Sequence, residues 1–74
     1  MTISDLSSLY AGKVVIIVMA YYENGEYYSC LTYSEKPIRI AEIEDGNWVL
    51  DLTILGMFAH NDVLYVDAKE VIGR

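Results

Sequence analysis

The longest apolar run in the chain spans residues 13–22, Lys-Val-Val-Ile-Ile-Val-Met-Ala-Tyr-Tyr. It predicts a β-strand rather than a helix because it is dense in β-branched and aromatic side chains. Alternate side chains of a strand point to opposite faces, and this strand is apolar on both. Such a strand normally has both faces covered, as in the centre of a packed sheet or in a closed barrel. An N-terminal helix is the obvious cover for one face, and a second chain is the other candidate.

The dipeptide Asn24-Gly25 directly after this run predicts a β-hairpin. A type I′ turn needs positive φ at both of its central residues, which Asn and Gly tolerate best. Residues 26–34 are then expected to return antiparallel to the first strand. A two-residue turn predicts these opposed pairs: Glu23 with Glu26, Tyr22 with Tyr27, Tyr21 with Tyr28 and Met19 with Cys30.

The rest of the chain alternates short apolar runs with turn residues, which predicts three more strands and one helix. The predicted elements are a helix at about residues 4–11 capped by Ser4, a third strand at 38–44 with a bulge after Ile40, a hairpin turn at Asp45-Gly46, a fourth strand at 48–58 and a fifth at 63–71. Residues 47–59 also fit a helical face, and we favour the strand. The sequence predicts one domain over residues 1–74, of α+β or mainly β class: a short N-terminal helix packed on a curled antiparallel sheet or small barrel of about five strands.

Charge is distributed unevenly. The net charge is −6, and residues 40–68 contain no Lys or Arg but six carboxylates. Such a field repels nucleic acid and anionic lipid and attracts basic protein surfaces, so we expect a basic protein partner and no direct binding of nucleic acid or membrane. The start of the chain lacks a basic n-region, and the apolar run 14–20 is too short to cross a bilayer, so we expect a cytoplasmic protein.

Few side chains offer catalytic or metal-binding chemistry. His60 is the only histidine and lies in a predicted turn near Asp62, where a solvated side chain is the better interpretation than a base for Ser29 or Cys30. Cys30 is interpreted as a small buried hydrophobe. Glu44-Asp45-Gly46-Asn47 lacks the bidentate acid that ends a calcium loop. We therefore expect no enzyme activity, no metal and no cofactor.

Two features suggest binding instead. Carboxylates held close together repel one another and destabilise the fold, so their clustering favours a role in binding a basic partner. Ordinary solubilising charge also explains them. Tyrosines give large contact areas at low entropic cost, although a cross-strand ladder also explains them. The candidate partner-binding residues are Glu23, Glu26, Glu42, Glu44, Asp45, Asp51, Tyr22 and Tyr27.

A short acidic chain that is rich in aromatic residues and has no active site resembles the small inhibitors encoded by phages, of the anti-CRISPR and nucleic-acid-mimic type. The resemblance is one of overall character over the whole chain and transfers no functional residue. It implies an inhibitor whose carboxylates occupy the Lys/Arg-rich nucleic-acid site of a target protein. The alternative hypothesis is a small β-barrel interaction or assembly module, including a homodimer formed through the spare face of the first strand.

Overall fold

The computed structural model describes residues 1–73 and contains one short helix, five strands and two 3₁₀ helices. In chain order they are α1 (Ile3–Ser7), β1 (Lys13–Tyr22), β2 (Tyr27–Thr32), β3 (Ile38–Arg39), a first 3₁₀ helix (Ile40–Glu42), a second 3₁₀ helix (Trp48–Asp51), β4 (Thr53–His60) and β5 (Val63–Ile72). The predicted fold class, a short N-terminal helix packed on a sheet of about five strands, is confirmed.

The strands form one open sheet in the order β2-β1-β5-β4, with β3 beside the start of β1. The pairs β1–β2, β1–β3 and β4–β5 are antiparallel, whereas β1 and β5 run parallel from Val14 opposite Leu64 to Tyr22 opposite Ile72. The sheet is therefore two hairpins joined side by side through a parallel central pair, and it does not close into a barrel.

The hydrophobic core lies on one face of this sheet. Even-numbered residues of β1 from Val14 to Ala20 are buried, while the odd-numbered ones between them are only half-buried. The cover on the buried face consists of α1 and residues 40–52. The buried hydrophobic residues are Ile3, Leu6, Val14, Ile16, Val18, Ala20, Ile40, Ile43, Val49, Val66 and Ala68. Within residues 1–73 all of the non-sheet elements that contribute to this core lie on the same side, so the opposite face of the sheet is open.

The β1–β2 connection is a three-residue loop, and the predicted type I′ turn at Asn24-Gly25 is wrong. Tyr22 accepts a hydrogen bond from Gly25 N–H at 2.9 Å and donates its own N–H to Glu26 O at 2.8 Å. Within residues 23–26, only Gly25 has positive φ, at +92°. Asn24 instead uses its side-chain oxygen to accept the Glu26 N–H at 2.9 Å, a local bond that favours the three-residue loop.

The longer loop changes the predicted pairing. Glu26 lies opposite Tyr22 rather than Glu23, and a bulge follows. The ring pairs are Tyr21 with Tyr27 and Tyr22 with Tyr28, not the predicted Tyr22–Tyr27 and Tyr21–Tyr28. The predicted pairing of Met19 with Cys30 is confirmed.

The segment between β3 and β4 departs most from prediction. The third strand ends at Arg39 rather than at residue 44, because the Glu42 carboxylate accepts the Arg39 N–H at 2.8 Å and turns the chain into a 3₁₀ helix. Residues 48–51 form a second 3₁₀ helix, which Asn47 caps by accepting the Val49 N–H at 3.0 Å. Strand β4 therefore begins at Thr53. The predicted strand at 48–58 starts too early, and the alternative helix at 47–59 is wrong.

The first helix is shorter than predicted and begins one residue earlier, at Ile3. Thr2, not Ser4, is the cap: its hydroxyl accepts the Asp5 N–H at 3.1 Å, and the Asp5 carboxylate accepts the Thr2 N–H at 3.0 Å. This capping box places Ile3 and Leu6 in the core, where both are buried.

Candidate binding surfaces

Four of the predicted site residues lie on the outer side of the layer that covers the core. We call residues 42–51 the acidic segment; its carboxylates are Glu42, Glu44, Asp45 and Asp51. All four are exposed, because Ile43 and Val49 of the same segment point inward and are buried at 7% and 0% exposure. Local burial thus orients the apolar side chains into the core and the carboxylates into solvent.

The acidic segment is held to the fold by uncharged contacts. Asn47 donates its side-chain N–H to the Tyr33 hydroxyl at 2.9 Å, and the Tyr33 and Trp48 rings meet edge to face at 6.1 Å between centroids. Within residues 1–73 the side chains of Glu44 and Asp45 form no hydrogen bond or ion pair. Their charges are therefore not neutralised inside the protein and are available to a basic partner.

The other predicted acids lie at the β1–β2 loop, outside the acidic segment. Glu23 and Glu26 are exposed at the β1–β2 loop, after the end of β1. Glu42 lies close to the start of β1, because Arg39 pairs with Lys13. A ten-residue strand is about 30 Å long. The length of β1 thus separates Glu42 from Glu23 and Glu26, whereas Asp51 lies just before Thr53, which is level with Met19 towards the loop end of β1.

The two predicted tyrosines also separate. Tyr22 packs with Tyr28 and follows the core-facing positions of β1, whereas Tyr27 packs with Tyr21 on the open side of the sheet. They do not form a single tyrosine patch beside the carboxylates.

The structure also shows a surface that the sequence prediction did not include as a site. We call it the open face; its side chains follow from the strand register and are Lys13, Val15, Ile17, Met19 and Tyr21 of β1, Tyr27, Cys30 and Thr32 of β2, Arg39 of β3, Thr53, Phe58 and His60 of β4, and Val63, Tyr65, Asp67, Lys69 and Val71 of β5. Most of these side chains are apolar or aromatic.

Aromatic rings organise both ends of the open face. Phe58 and Tyr65 lie opposite each other on β4 and β5 and stack at 5.0 Å with an interplanar angle of 8°. At the other end the Tyr21 and Tyr27 rings meet at 5.8 Å, and Lys69 Nζ lies 5.4 Å from the Tyr21 centroid. These contacts limit the freedom of the side chains and give the face a defined shape.

Cys30 lies on this face and is exposed, so its predicted burial is wrong. Strand β2 is at the sheet edge, and nothing in residues 1–73 covers its open side. A hydrogen bond between the Cys30 thiol and the Tyr27 phenol raises the pKa of Tyr27 above its ordinary value.

The doubly apolar pattern of residues 13–22 was the one sequence signal for the open face. Together with the predicted hairpin it identified Val15, Ile17, Met19, Tyr21, Cys30 and Thr32, with Tyr28 in place of Tyr27, but not the residues of β4 and β5. Tyr65 and Phe58 join the face only because β5 pairs in parallel with β1, and β4 follows on its far side.

Residues 1–73 contain no group of three or more His, Cys, Asp or Glu side chains that could hold a metal ion. His60 is exposed at the end of β4. No helix in this part of the chain is long and apolar enough to cross a membrane. Comparison with protein-family models, with curated proteins and with solved structures gave no match.

Proposed function

We propose that this is a non-catalytic binding protein of the host cytoplasm, and that its acidic segment occupies a basic, nucleic-acid-binding site on a target protein, as in anti-CRISPR inhibitors. The observation that carries the proposal is the set of exposed carboxylates at residues 42–51, with no Lys or Arg between Arg39 and Lys69. Charges of one sign that the fold leaves unpaired add electrostatic attraction to a partner of the opposite sign.

The geometry favours the acidic segment over the hairpin loop as the principal contact. Its carboxylates stand on a backbone that is anchored through Ile43 and Val49, so their spacing is fixed before binding. Glu23 and Glu26 stand on the β1–β2 loop, about 30 Å from Glu42 along β1, and add a second contact only where the target groove reaches both.

The test is direct competition with nucleic acid. Purified RNA-guided nucleases and single-strand-binding proteins are loaded with fluorescent DNA, and displacement by this protein is followed by anisotropy at about 50 mM and about 500 mM salt. We expect displacement of DNA from at least one of these targets at low salt and a loss of affinity at high salt.

The substitution Glu44→Lys should weaken that displacement by about tenfold, since it places a like charge against the basic site. Glu35→Lys is the matched control: it also replaces an exposed Glu with Lys, but outside the acidic segment. Equal effects of the two variants would show that only net charge matters. Displacement that is insensitive to salt and to reversal of Glu42, Glu44 and Asp45 together would refute the proposal.

A further inference from the structure

The open face lies over the one part of the sheet that normally needs a cover. Strands β1 and β5 form a parallel pair at the centre of the sheet. All-parallel sheets are found almost only where both faces are packed, and β1 shares the apolar character on both sides that their strands have. Here Val15, Ile17 and Met19 are half-buried by their neighbours and have no layer of residues 1–73 above them.

The size of the open face matches what a small stable interface requires. Four neighbouring strands spaced about 4.8 Å apart and about eight residues long give a surface of roughly 20 by 26 Å. Two copies packed through it would bury about 1,000 Å² in total, which is the lower bound for a specific interface. A domain of this size also gains more from a second layer than a large one does.

The charges at the two ends of β1 are complementary for one arrangement of two copies. Lys13 and Arg39 lie side by side at the start of β1, and both are exposed. Glu23 and Glu26 lie beyond the other end of the same strand. Two copies packed with their β1 strands antiparallel bring the basic end of each over the acidic loop of the other. A parallel arrangement would instead oppose like charges at both ends.

We propose that the open face is the interface of a two-fold symmetric homodimer, with the β1 strands of the two copies antiparallel across it. The two-fold axis passes near Ile17, at the middle of β1. Ile17 packs against its counterpart, Met19 of each copy packs against Val15 of the other, and Arg39 with Lys13 of each copy faces the Glu23–Glu26 loop of the other. Face-to-face sheets with nearly aligned strands pack about 10 Å apart, as two sheets do in a sandwich. The acidic segments then lie on the two outer sides of the dimer, free to bind a partner.

Sedimentation velocity of the protein alone tests this proposal independently of any target. We expect a concentration-dependent monomer–dimer equilibrium. Ile17→Lys should raise the dissociation constant about a hundredfold, because it places two like charges at the centre of the interface. Leu9→Lys is the control, since Leu9 is 71% exposed and lies after α1, outside the open face. A protein that stays monomeric up to about 1 mM would overturn the proposal.

Charge exchange tests the antiparallel arrangement with variants of exposed residues that leave the core intact. Arg39→Glu should weaken the dimer about tenfold. Adding Glu26→Lys restores the net charge of −6 and the opposed pair, so dimerisation should recover. Adding Asp45→Lys to Arg39→Glu restores the same net charge on the outer side, and dimerisation should stay weak. Equal recovery in the two double variants, or no effect of Arg39→Glu, would rule out this arrangement.

Discussion

Asn61 and Asp62 form the two-residue turn between β4 and β5, and both have positive φ, at 50° and 65°. His60 pairs with Val63 on either side, so this turn has the type I′ geometry that the sequence suggested for Asn24-Gly25. The second position of such a turn strongly prefers Gly. We expect Asp62→Gly to raise the free energy of unfolding by about 0.5–1 kcal/mol, measured by urea denaturation.

Asn24→Gly is the matched control for that substitution. Asn24 does not have positive φ, and its side chain accepts the Glu26 N–H. Glycine there removes the bond and enlarges the entropy of the unfolded chain, so stability should fall. Stabilisation by Asn24→Gly without stabilisation by Asp62→Gly would show that the type I′ turn lies at Asn24-Gly25 and not at Asn61-Asp62.

At the residue scale the sequence predicted chemical character better than conformation. Exposed carboxylates and a doubly apolar β1 follow from side-chain polarity alone. The turn at Asn24-Gly25 could not be predicted because the type I loop with Gly25 at positive φ and the type I′ turn both accept this dipeptide. The hydrogen bond that the Glu26 N–H donates to the Asn24 side chain favours the three-residue loop. That loop changes the ring partner of each tyrosine in the hairpin by one residue.

Among the elements, α1 is the one whose stability should depend most clearly on pH. Hydrogen bonds, first that from the Thr2 backbone N–H, hold the pKa of Asp5 below its ordinary value. A carboxyl with a lowered pKa in the folded state stabilises the protein above its unfolded pKa of about 3.9, and this contribution is lost as the pH falls through the folded pKa. The capping box should therefore stabilise α1 at neutral pH and fail in acid.

We expect Asp5→Asn to lower the urea midpoint at about pH 7 and to approach the wild type at about pH 3. Asp45→Asn removes the same charge from a side chain that forms no hydrogen bond within residues 1–73, so its midpoint should follow the wild type at both pH values. A deficit in Asp5→Asn that is equally large at both pH values would show that the ionised carboxylate does not cap the helix.

The order of the elements was less predictable than their number. Each hairpin follows from local turns, but the pairing of Val14 with Leu64 joins opposite ends of the chain, and local pattern carries no information about it. The separation of Glu26 from Glu42 has the same origin, because β2 and β3 pair with different ends of β1. Residues 40–42 and 48–51 form 3₁₀ helices because Glu42 and Asn47 cap them and because the core requires Val49.

For the whole molecule the decisive property is a core on only one side of the sheet. Ile16 and Ile17 are neighbours of the same type in the same strand, but Ile16 is 1% exposed and Ile17 faces the open side. We expect Ile16→Ala to cost about 2–5 kcal/mol, from lost burial and the cavity that remains. A domain of this length has a total stability of only about 4–11 kcal/mol, so this variant should be largely destabilised.

Ile17→Ala removes the same side-chain atoms as Ile16→Ala, but from the open face of the sheet. In dilute solution, where monomers dominate, it should cost less than Ile16→Ala, because Ile17 is only half-buried and less apolar surface returns to water. At high protein concentration the cost should grow, since dimerisation stabilises the folded state by mass action and the variant weakens it. Urea unfolding of both variants at low and high concentration separates the two effects. Equal costs for Ile16→Ala and Ile17→Ala in dilute solution would mean that both faces of β1 are packed within one chain, and the open face would no longer be a surface for a second copy.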